Sequence, residues 1–173
     1  MTAITAIPQT VSLIGMPGVG KSTVGVILAK LTGLRFTDTD LDIQVRVNAT
    51  LQQILERHGY LHLRAIEQEV LLGISLDHAI ISTGGSVVYC GQIMQRLKSA
   101  GPVVYLAANL PLLRQRVAAA PLRGIASNSR QTYDNVFAER TPLYRRYADI
   151  TVDAASGCAD VVAAAILEQL VAS

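Results

Sequence analysis

Residues 15–22 read GMPGVGKS and match the phosphate-loop pattern GxxxxGK(S/T). An apolar run at residues 10–14 precedes them and an amphipathic segment at residues 22–31 follows, as the strand and helix of such a loop require. The glycines permit a tight turn whose N–H groups, with the helix N-terminus, face an anion. The pattern predicts a nucleoside triphosphate site in which Lys21 reaches the outer phosphates and Ser22 holds magnesium. A glycine-rich turn without a ligand is the alternative, and the complete pattern in its proper context disfavours it.

On either side of this loop, short apolar runs alternate with longer amphipathic segments, which is typical of βαβ units around a mainly parallel sheet. The predicted strands are residues 10–14, 34–37, 79–82, 103–107 and 150–152. The predicted helices are residues 22–31, 41–47, 51–57, 62–76, 91–100, 110–118, 132–147 and 159–171. Thr50 and Gln53 form a possible capping box before the third helix, and Gly59 is predicted to end it.

Composition excludes several classes of protein. The 173 residues fit one domain with a sizeable core. Apolar residues make up 50% of the chain and charged residues 16%, which excludes a disordered protein. A formal net charge of +2 is small for a protein that binds nucleic acid. No apolar run in the sequence is long enough to span a membrane.

Cysteine usage and the opening residues indicate a compartment. Cys90 and Cys158 lie far apart without metal-ligand spacing, so we expect neither a disulfide framework nor a zinc site. The first basic side chain is Lys21, so the opening stretch lacks the positive region of a secretory signal. We therefore expect a cytoplasmic monomer, with one domain over residues 1–173, that binds neither nucleic acid nor a membrane.

Two carboxylates, Asp38 and Asp40, follow the second predicted strand in the sequence FTDTD. They lie at the edge where open α/β sheets bind ligands, and in a strand they would share one face. One could assist magnesium while the other approaches an acceptor hydroxyl as a base. The alternative is that Asp40 caps the next helix and Asp38 is a solvated turn residue.

The third predicted strand leads into Gly84 and Gly85, where a backbone without side chains can approach a ligand closely. Alone, this pair is equally typical of a tight turn. Residues 119–130 mix Pro, Gly, Ser and Asn with two arginines, and they are either a lid or an ordinary surface connection.

Arginines dominate the basic residues, and the guanidinium group suits bidentate binding of carboxylate or phosphate. The candidates are Arg64, Arg116, Arg123 and Arg140, with Glu67 one helical turn after Arg64. The alternative is that Arg64 and Glu67 form a surface pair and that Arg140 belongs to a solvated helix face with Arg145 and Arg146.

Taken together, the motifs GMPGVGKS, FTDTD, LRAIE, STGGS, RGI and ERTPLYRRYADITVD resemble the shikimate kinase family from Val11 to Val152. The resemblance implies a three-layer α/β/α fold with a five-stranded parallel sheet, of the P-loop kinase type. It also implies a lid at about residues 119–130 and an acceptor-binding helical segment at about residues 40–76.

The resemblance further implies roles for individual residues. The ATP phosphates would be surrounded by Gly15, Met16, Pro17, Gly18, Val19, Gly20, Lys21, Ser22 and Thr23. Mg²⁺ would be served by Ser22 and Asp38, and Asp40 would be the acceptor-side base. The acceptor would be bound by Arg64, Gly84, Gly85 and Arg140, with Glu67 orienting the arginine. The lid residue Arg123 would meet the transferring phosphate as a catalytic group, like Lys21, and Arg116 would lie along adenine.

This chain departs from the family pattern on the acceptor side. Ser86 stands where a third glycine is usual, and Leu55 and Leu63 occupy aromatic positions of the acceptor pocket. The lid sequence is Arg123-Gly124-Ile125-Ala126 instead of Arg-Pro-Leu-Leu. We expect ATP- and Mg²⁺-dependent phosphorylation of the shikimate 3-hydroxyl. The alternatives are a kinase of another small hydroxylated acid or polyol, and a nucleotide-binding regulatory module without kinase activity.

Overall fold

The protein is described by a computed structural model that covers residues 7–121 and 124–172. Its sheet contains five parallel strands in the order β2-β3-β1-β4-β5. The strands are β1 (Thr10–Ile14), β2 (Arg35–Asp38), β3 (Ala79–Ser82), β4 (Val103–Ala107) and β5 (Ile150–Asp153). The five-stranded parallel sheet that the resemblance implied is confirmed.

Helices connect successive strands, because parallel neighbours need a long crossover. The helices in the described part of the chain are α1 (Lys21–Thr32), α2 (Thr39–Val47), α3 (Leu51–Gly73), α4 (Gly91–Ala100), α5 (Leu110–Ala119), α6 (Tyr133–Tyr147) and α7 (Ala159–Ala172), with a 3₁₀ turn at Val87–Tyr89. Helices α1 and α7 pack on each other and on the sheet, whereas α4 contacts β1 and α6 contacts β4. The result is the predicted α/β/α layering. Within residues 7–121 and 124–172, each helix is too short or too polar to pass through a lipid bilayer.

The burial of the strands explains their sequences. Strands β1 and β3 are buried along their whole length, so they consist of nearly continuous apolar runs. Strand β5 lies at the edge of the sheet and alternates buried with exposed residues. The central strands therefore carry the core, which includes Val11, Leu13, Ile80 and Val104.

Helix α3 differs from the prediction of two helices separated by Gly59. Helical residues continue from Leu51 to Gly73, but Gly59 among them has φ 78° and ψ 174°, which is not helical. The predicted interruption is therefore present as a kink, and the second segment ends earlier than expected, at Gly73. The predicted capping box of Thr50 and Gln53 is confirmed at the start of α3.

The order of the strands positions the functional loops. Strand β1 lies between β3 and β4, so the strand order reverses beside it and a crevice opens at the carboxyl ends of the strands. The register pairs Ser82 with both Leu13 and Asp38. The phosphate loop, the start of α2 and the loop after β3 are thereby brought to the same edge of the sheet.

Candidate active site

The phosphate loop ends at the N-terminus of α1. Gly20, the residue before α1, has φ 105°, a conformation that glycine adopts at little cost. It also has no side chain to cap the first N–H groups of α1, which leaves them to face an anion. Lys21 is buried, and its Nζ donates hydrogen bonds to the carbonyl oxygens of Gly15 at 2.8 Å and Met16 at 3.1 Å.

The surroundings of Lys21 shift the pKa of its amine. Burial lowers the pKa of Lys21 to about 8, although the carboxylates of Asp40 and Asp38 act in the opposite direction. An anionic phosphate beside Nζ favours the protonated form in the same way as these carboxylates do. An anionic ligand at this position would therefore raise the pKa of Lys21 and keep the side chain protonated.

A cluster of oxygen atoms follows from the way α2 begins. Asp38 is the N-cap of α2, and its Oδ1 accepts a hydrogen bond from the N–H of Asp40 at 3.0 Å. Its Oδ2 accepts a hydrogen bond from Ser22 Oγ at 2.5 Å, and Ser82 Oγ lies 3.3 Å from Ser22 Oγ. Hydroxyl and carboxylate oxygens are the ligands that Mg²⁺ prefers, so these residues fit that ion. Sequence reasoning missed Ser82, whose only signal was its position at the end of β3.

The expectation that Asp38 and Asp40 share a strand face is wrong. Strand β2 ends at Asp38, and Asp40 lies in the first turn of α2. The alternative that Asp40 caps this helix is also wrong, because the cap is Asp38. The sequence Asp-Thr-Asp suits either the end of a strand or the start of a helix. The hydrogen bond from the Asp40 N–H to the Asp38 side chain caps the helix at Asp38, so α2 begins at Thr39.

A third carboxylate, that of Glu67, lies with Asp40 beside Gly84. A Cβ atom on Gly84 would collide with Glu67 Oε1 and stand 3.1 Å from Asp40 Oδ1, so a side chain at position 84 is excluded. Glu67 is buried, with 5% of its surface exposed, and its Oε2 accepts a hydrogen bond from Ser86 Oγ. The pKa of Glu67 is raised to about 7, chiefly by burial; the Asp40 carboxylate acts in the same direction, whereas the Ser86 hydrogen bond and the two arginines oppose the rise.

Two arginines converge on one oxygen atom. Arg64 donates to the carbonyl oxygen of Ala126 from Nε at 3.2 Å and from Nη2 at 3.1 Å, and Arg140 Nη2 donates to the same oxygen at 2.7 Å. The Tyr89 ring stacks on both guanidinium groups, with its centroid 4.1 Å from Arg64 Cζ and 5.3 Å from Arg140 Cζ. Their N–H groups thus point at a place where an anionic oxygen can bind.

Burial contradicts the surface alternative for these residues. Arg140 is 1% exposed, so it does not belong to the solvated face of α6 that carries the exposed Arg145 and Arg146. Glu67 is also buried, so it does not form a surface pair with Arg64.

Two tyrosines of α6 fix the glycine-containing loops. Tyr144 Oη donates to the Gly85 carbonyl oxygen at 2.5 Å, and Tyr133 Oη donates to the Pro17 carbonyl oxygen at 2.6 Å. A Cβ atom on Gly85 would lie 2.9 Å from Pro17 Cδ and 3.0 Å from Arg140 Nη1. Gly85 therefore lies between Pro17 of the phosphate loop and the arginine site, which we define as Arg64 and Arg140. The tyrosines lie about three turns apart on one helix face, a spacing that sequence reasoning did not use.

Other candidate residues lie at the margins of this site. Arg116 Nη1 donates to the Val19 carbonyl oxygen at 2.9 Å and Nη2 to that of Ala154 at 3.2 Å, which ties the phosphate loop to the segment after β5. Leu63 is buried in a small core between α2 and α3, and Leu55 is partly buried. Arg123 lies outside the described residues.

Comparison with known proteins relates the chain to the shikimate kinases. A sequence model of the shikimate kinases matches residues 17–171. Shikimate kinase 2 of Escherichia coli O1:K1 is 35% identical over 159 residues, which cover 89% of this chain and 91% of that protein. Shikimate kinase 2 of Escherichia fergusonii is 32% identical over 169 residues, covering 94% and 93%.

Solved structures agree with these relatives. The structure of shikimate kinase from Acinetobacter baumannii in complex with shikimate has a TM-score of 0.85 and 31% identity, and the match covers 98% of this chain and 96% of that one. Shikimate kinase from Aquifex aeolicus has a TM-score of 0.78 and 30% identity, with coverage of 92% and 95%. The similarity extends over essentially the whole fold described above.

Proposed function

The chain belongs to the shikimate kinase family, and from this premise we infer that it transfers the γ-phosphoryl group of ATP to the 3-hydroxyl of shikimate. The products are shikimate 3-phosphate and ADP. The observation that carries the inference is the convergence of Arg64 and Arg140 on one oxygen atom beside the phosphate loop. Such a pair binds a carboxylate, and shikimate carries one.

We propose that the nucleotide side works by positioning and charge neutralisation. The phosphates lie on residues 15–23 at the N-terminus of α1, with Lys21 neutralising the outer phosphates. Ser22 and Asp38 would hold Mg²⁺, with Ser82 beside them. When bound, this ion neutralises phosphate charge.

On the acceptor side, we propose that Arg64 and Arg140 hold the carboxylate and that Gly84 and Gly85 let the acceptor approach the backbone. Asp40 then accepts the proton of the attacking hydroxyl. Two observations support this role: Asp40 Oδ1 would stand 3.1 Å from a Cβ atom on Gly84, and the Asp40 carboxylate acts on the charge of Lys21.

The remaining assignments are proposals of the same kind. Arg123 would contact the transferring phosphate from a lid at about residues 119–130, and Arg116 would border the adenine site from α5. Residues 40–76 would form the acceptor-binding helical segment of one domain over residues 1–173. The protein would act as a cytoplasmic monomer, which is consistent with its two free cysteines.

The test is a coupled assay of ADP formation, run with and without shikimate and Mg²⁺. We expect ADP release only when both are present. A panel of other hydroxy acids and polyols identifies the acceptor, and faster turnover with one of these would replace shikimate in the proposal. ATP binding without any acceptor-dependent ADP release would contradict kinase activity.

A further inference from the structure

Tyr89, in the 3₁₀ turn after the glycine pair, contacts both residues of the arginine site. Its ring centroid lies 4.1 Å from Arg64 Cζ and 5.3 Å from Arg140 Cζ, and Arg140 Nε donates to its Oη at 3.3 Å. A guanidinium group within about 6 Å of an aromatic ring centroid is attracted by the electrons of the ring. A single aromatic side chain therefore attracts both cations of the site.

The arrangement of the two cations needs such support. Their guanidinium groups carry like charges and converge on one atom, the Ala126 carbonyl oxygen. Mutual repulsion opposes this convergence until an anion binds between them, and ordering two long side chains costs conformational entropy. Glu67 attracts both arginines through its charge, and Tyr89 adds a direct contact with each. The ring therefore stabilises the convergent arrangement before an acceptor arrives.

Tyr89 is itself held in place by the surrounding elements. The 3₁₀ turn that carries it packs on α3 and on α6, the helices of the two arginines. Its Oη donates to Glu139 Oε1, and Gln131 Nε2 donates to Glu139 Oε2 at 2.8 Å. The hydrogen bond from Tyr89 also lowers the pKa of Glu139, so this carboxylate is ionised at neutral pH. The ring is thus anchored by contacts other than those with the arginines.

We propose that Tyr89 is a positioning residue of the acceptor site, whose ring holds Arg64 and Arg140 with their N–H donors directed at the place of the acceptor carboxylate. This proposal rests on the proposed function. Donors that are ordered in advance increase affinity, because binding then spends less free energy on ordering them. The Ala126 carbonyl oxygen occupies that place in the structure, and an acceptor carboxylate would replace it.

Loss of the ring should weaken acceptor binding and spare the chemical step. The variant Tyr89→Leu keeps an apolar side chain but removes the aromatic face. It should raise the KM for shikimate about tenfold, as loss of two cation–π contacts implies. The kcat and the KM for ATP should stay within about twofold, since the arginines hold the carboxylate equally in the ground state and the transition state.

The conservative variant Tyr89→Phe separates the ring from the hydroxyl. It keeps the aromatic face and loses only the hydrogen bonds of Oη to Glu139 and from Arg140. We expect it to raise the KM for shikimate at most about threefold, so that most of the wild-type affinity is retained.

Two further variants test whether the ring acts through the arginines. Tyr147→Leu is the matched control, because the Tyr147 ring centroid lies 5.7 Å from Arg146 Cζ in a tyrosine–arginine contact outside the arginine site. It should leave the KM for shikimate unchanged. In an Arg64→Ala background, Tyr89→Leu should add at most about threefold, because only the contact with Arg140 remains to be lost.

The experiment combines steady-state kinetics of these variants with calorimetric titration of shikimate, and circular dichroism checks folding. Tyr89→Met replaces Tyr89→Leu if leucine disturbs the fold. Four results would overturn the proposal: an unchanged shikimate KM in Tyr89→Leu, an equal increase in Tyr89→Phe, the full tenfold increase in the Arg64→Ala background, or an effect confined to kcat. An equal increase in Tyr147→Leu would also overturn it.

The wild type separates failure of this proposal from failure of the proposed function. Absence of shikimate-dependent ADP release in the wild type rejects the function. Normal wild-type turnover together with any of the overturning results rejects only the role of Tyr89.

Discussion

The two aspartates at the end of β2 and the start of α2 serve different halves of the proposed reaction. Asp38 touches Ser22, whereas Asp40 lies against Gly84 on the acceptor side. Asp40→Asn should therefore retain ATP binding and lower kcat about 100-fold to 10,000-fold, as removal of a positioned base does. Asp38→Asn keeps a good N-cap for α2, so it should fold normally but need more Mg²⁺. The measurement is turnover against Mg²⁺ concentration for both variants. Equal magnesium dependence and wild-type turnover in both would show that the carboxylates are structural.

Arg140 and Arg145 allow a matched comparison on α6. Arg140 is buried and points at the arginine site, while Arg145 on the same helix is exposed. Removing a desolvated partner of an anionic ligand costs about 2 to 5 kcal/mol, so Arg140→Ala should weaken shikimate binding at least about 30-fold and leave ATP binding unchanged. Arg145→Ala should change neither. Calorimetric titrations of shikimate and ATP measure both effects, and unchanged shikimate affinity in a folded Arg140→Ala protein would move the acceptor elsewhere.

How much of the site is predictable differs between residues. Lys21 and Ser22 are predictable because their roles depend on a contiguous pattern whose spacing fixes the geometry. Ser82 and Tyr144 are not, because their contacts join residues distant in sequence: Ser22 with Ser82, and Tyr144 with Gly85. Such contacts depend on strand register and helix orientation, which a single sequence does not specify.

At the scale of elements, the conformation of α3 provides a prediction about stability. Gly59 combines φ 78° with ψ 174°, which side chains rarely adopt, and nothing lies within 4 Å of the position its Cβ would occupy. Gly59→Ala should therefore destabilise the protein by about 1 to 3 kcal/mol through backbone strain alone.

Gly73, at the other end of α3, is the matched control. Its Cβ position is equally open, but its φ is not positive. Gly73→Ala should be neutral or stabilising by up to about 1 kcal/mol, since alanine favours a helix. Urea denaturation of both variants measures the difference, and equal stabilities would mean that the kink at Gly59 relaxes without cost.

The limits of an element were predicted correctly where a single sequence pattern, such as an apolar run, determines them. The strands β1, β3 and β4 have the predicted limits because central parallel strands are unbroken apolar runs. The start of α2 was wrong because the Asp-Thr-Asp sequence suits both a strand end and a helix N-terminus. The helical start at Thr39 occurs together with tertiary hydrogen bonds from Ser22 to Asp38 and from the Gly84 N–H to Thr39. Local helix and strand propensities cannot predict these contacts.

For the whole molecule, Glu67 links the active site to the stability of the fold. Burial raises its pKa from 4.5 to about 7, so the folded state holds the proton more tightly than the unfolded state. This contribution to stability is fully present below pH 4.5 and is lost as pH rises through about 7. An ionised, buried Glu67 therefore lowers the free energy of unfolding above about pH 7.

Glu67→Gln tests this linkage because the amide cannot ionise but can still accept a hydrogen bond from Ser86. Between pH 4.5 and 8, the stability of the wild type relative to this variant should fall by on the order of 3 kcal/mol. Urea denaturation of both proteins at several pH values measures the relative stability, which cancels the titration of groups common to both. Glu168→Gln is the control for the change from carboxylate to amide, because Glu168 is exposed. If the stability of the wild type relative to Glu67→Gln does not change with pH, folding does not shift the pKa of Glu67, which would mean that the arginines and Ser86 offset the effect of burial.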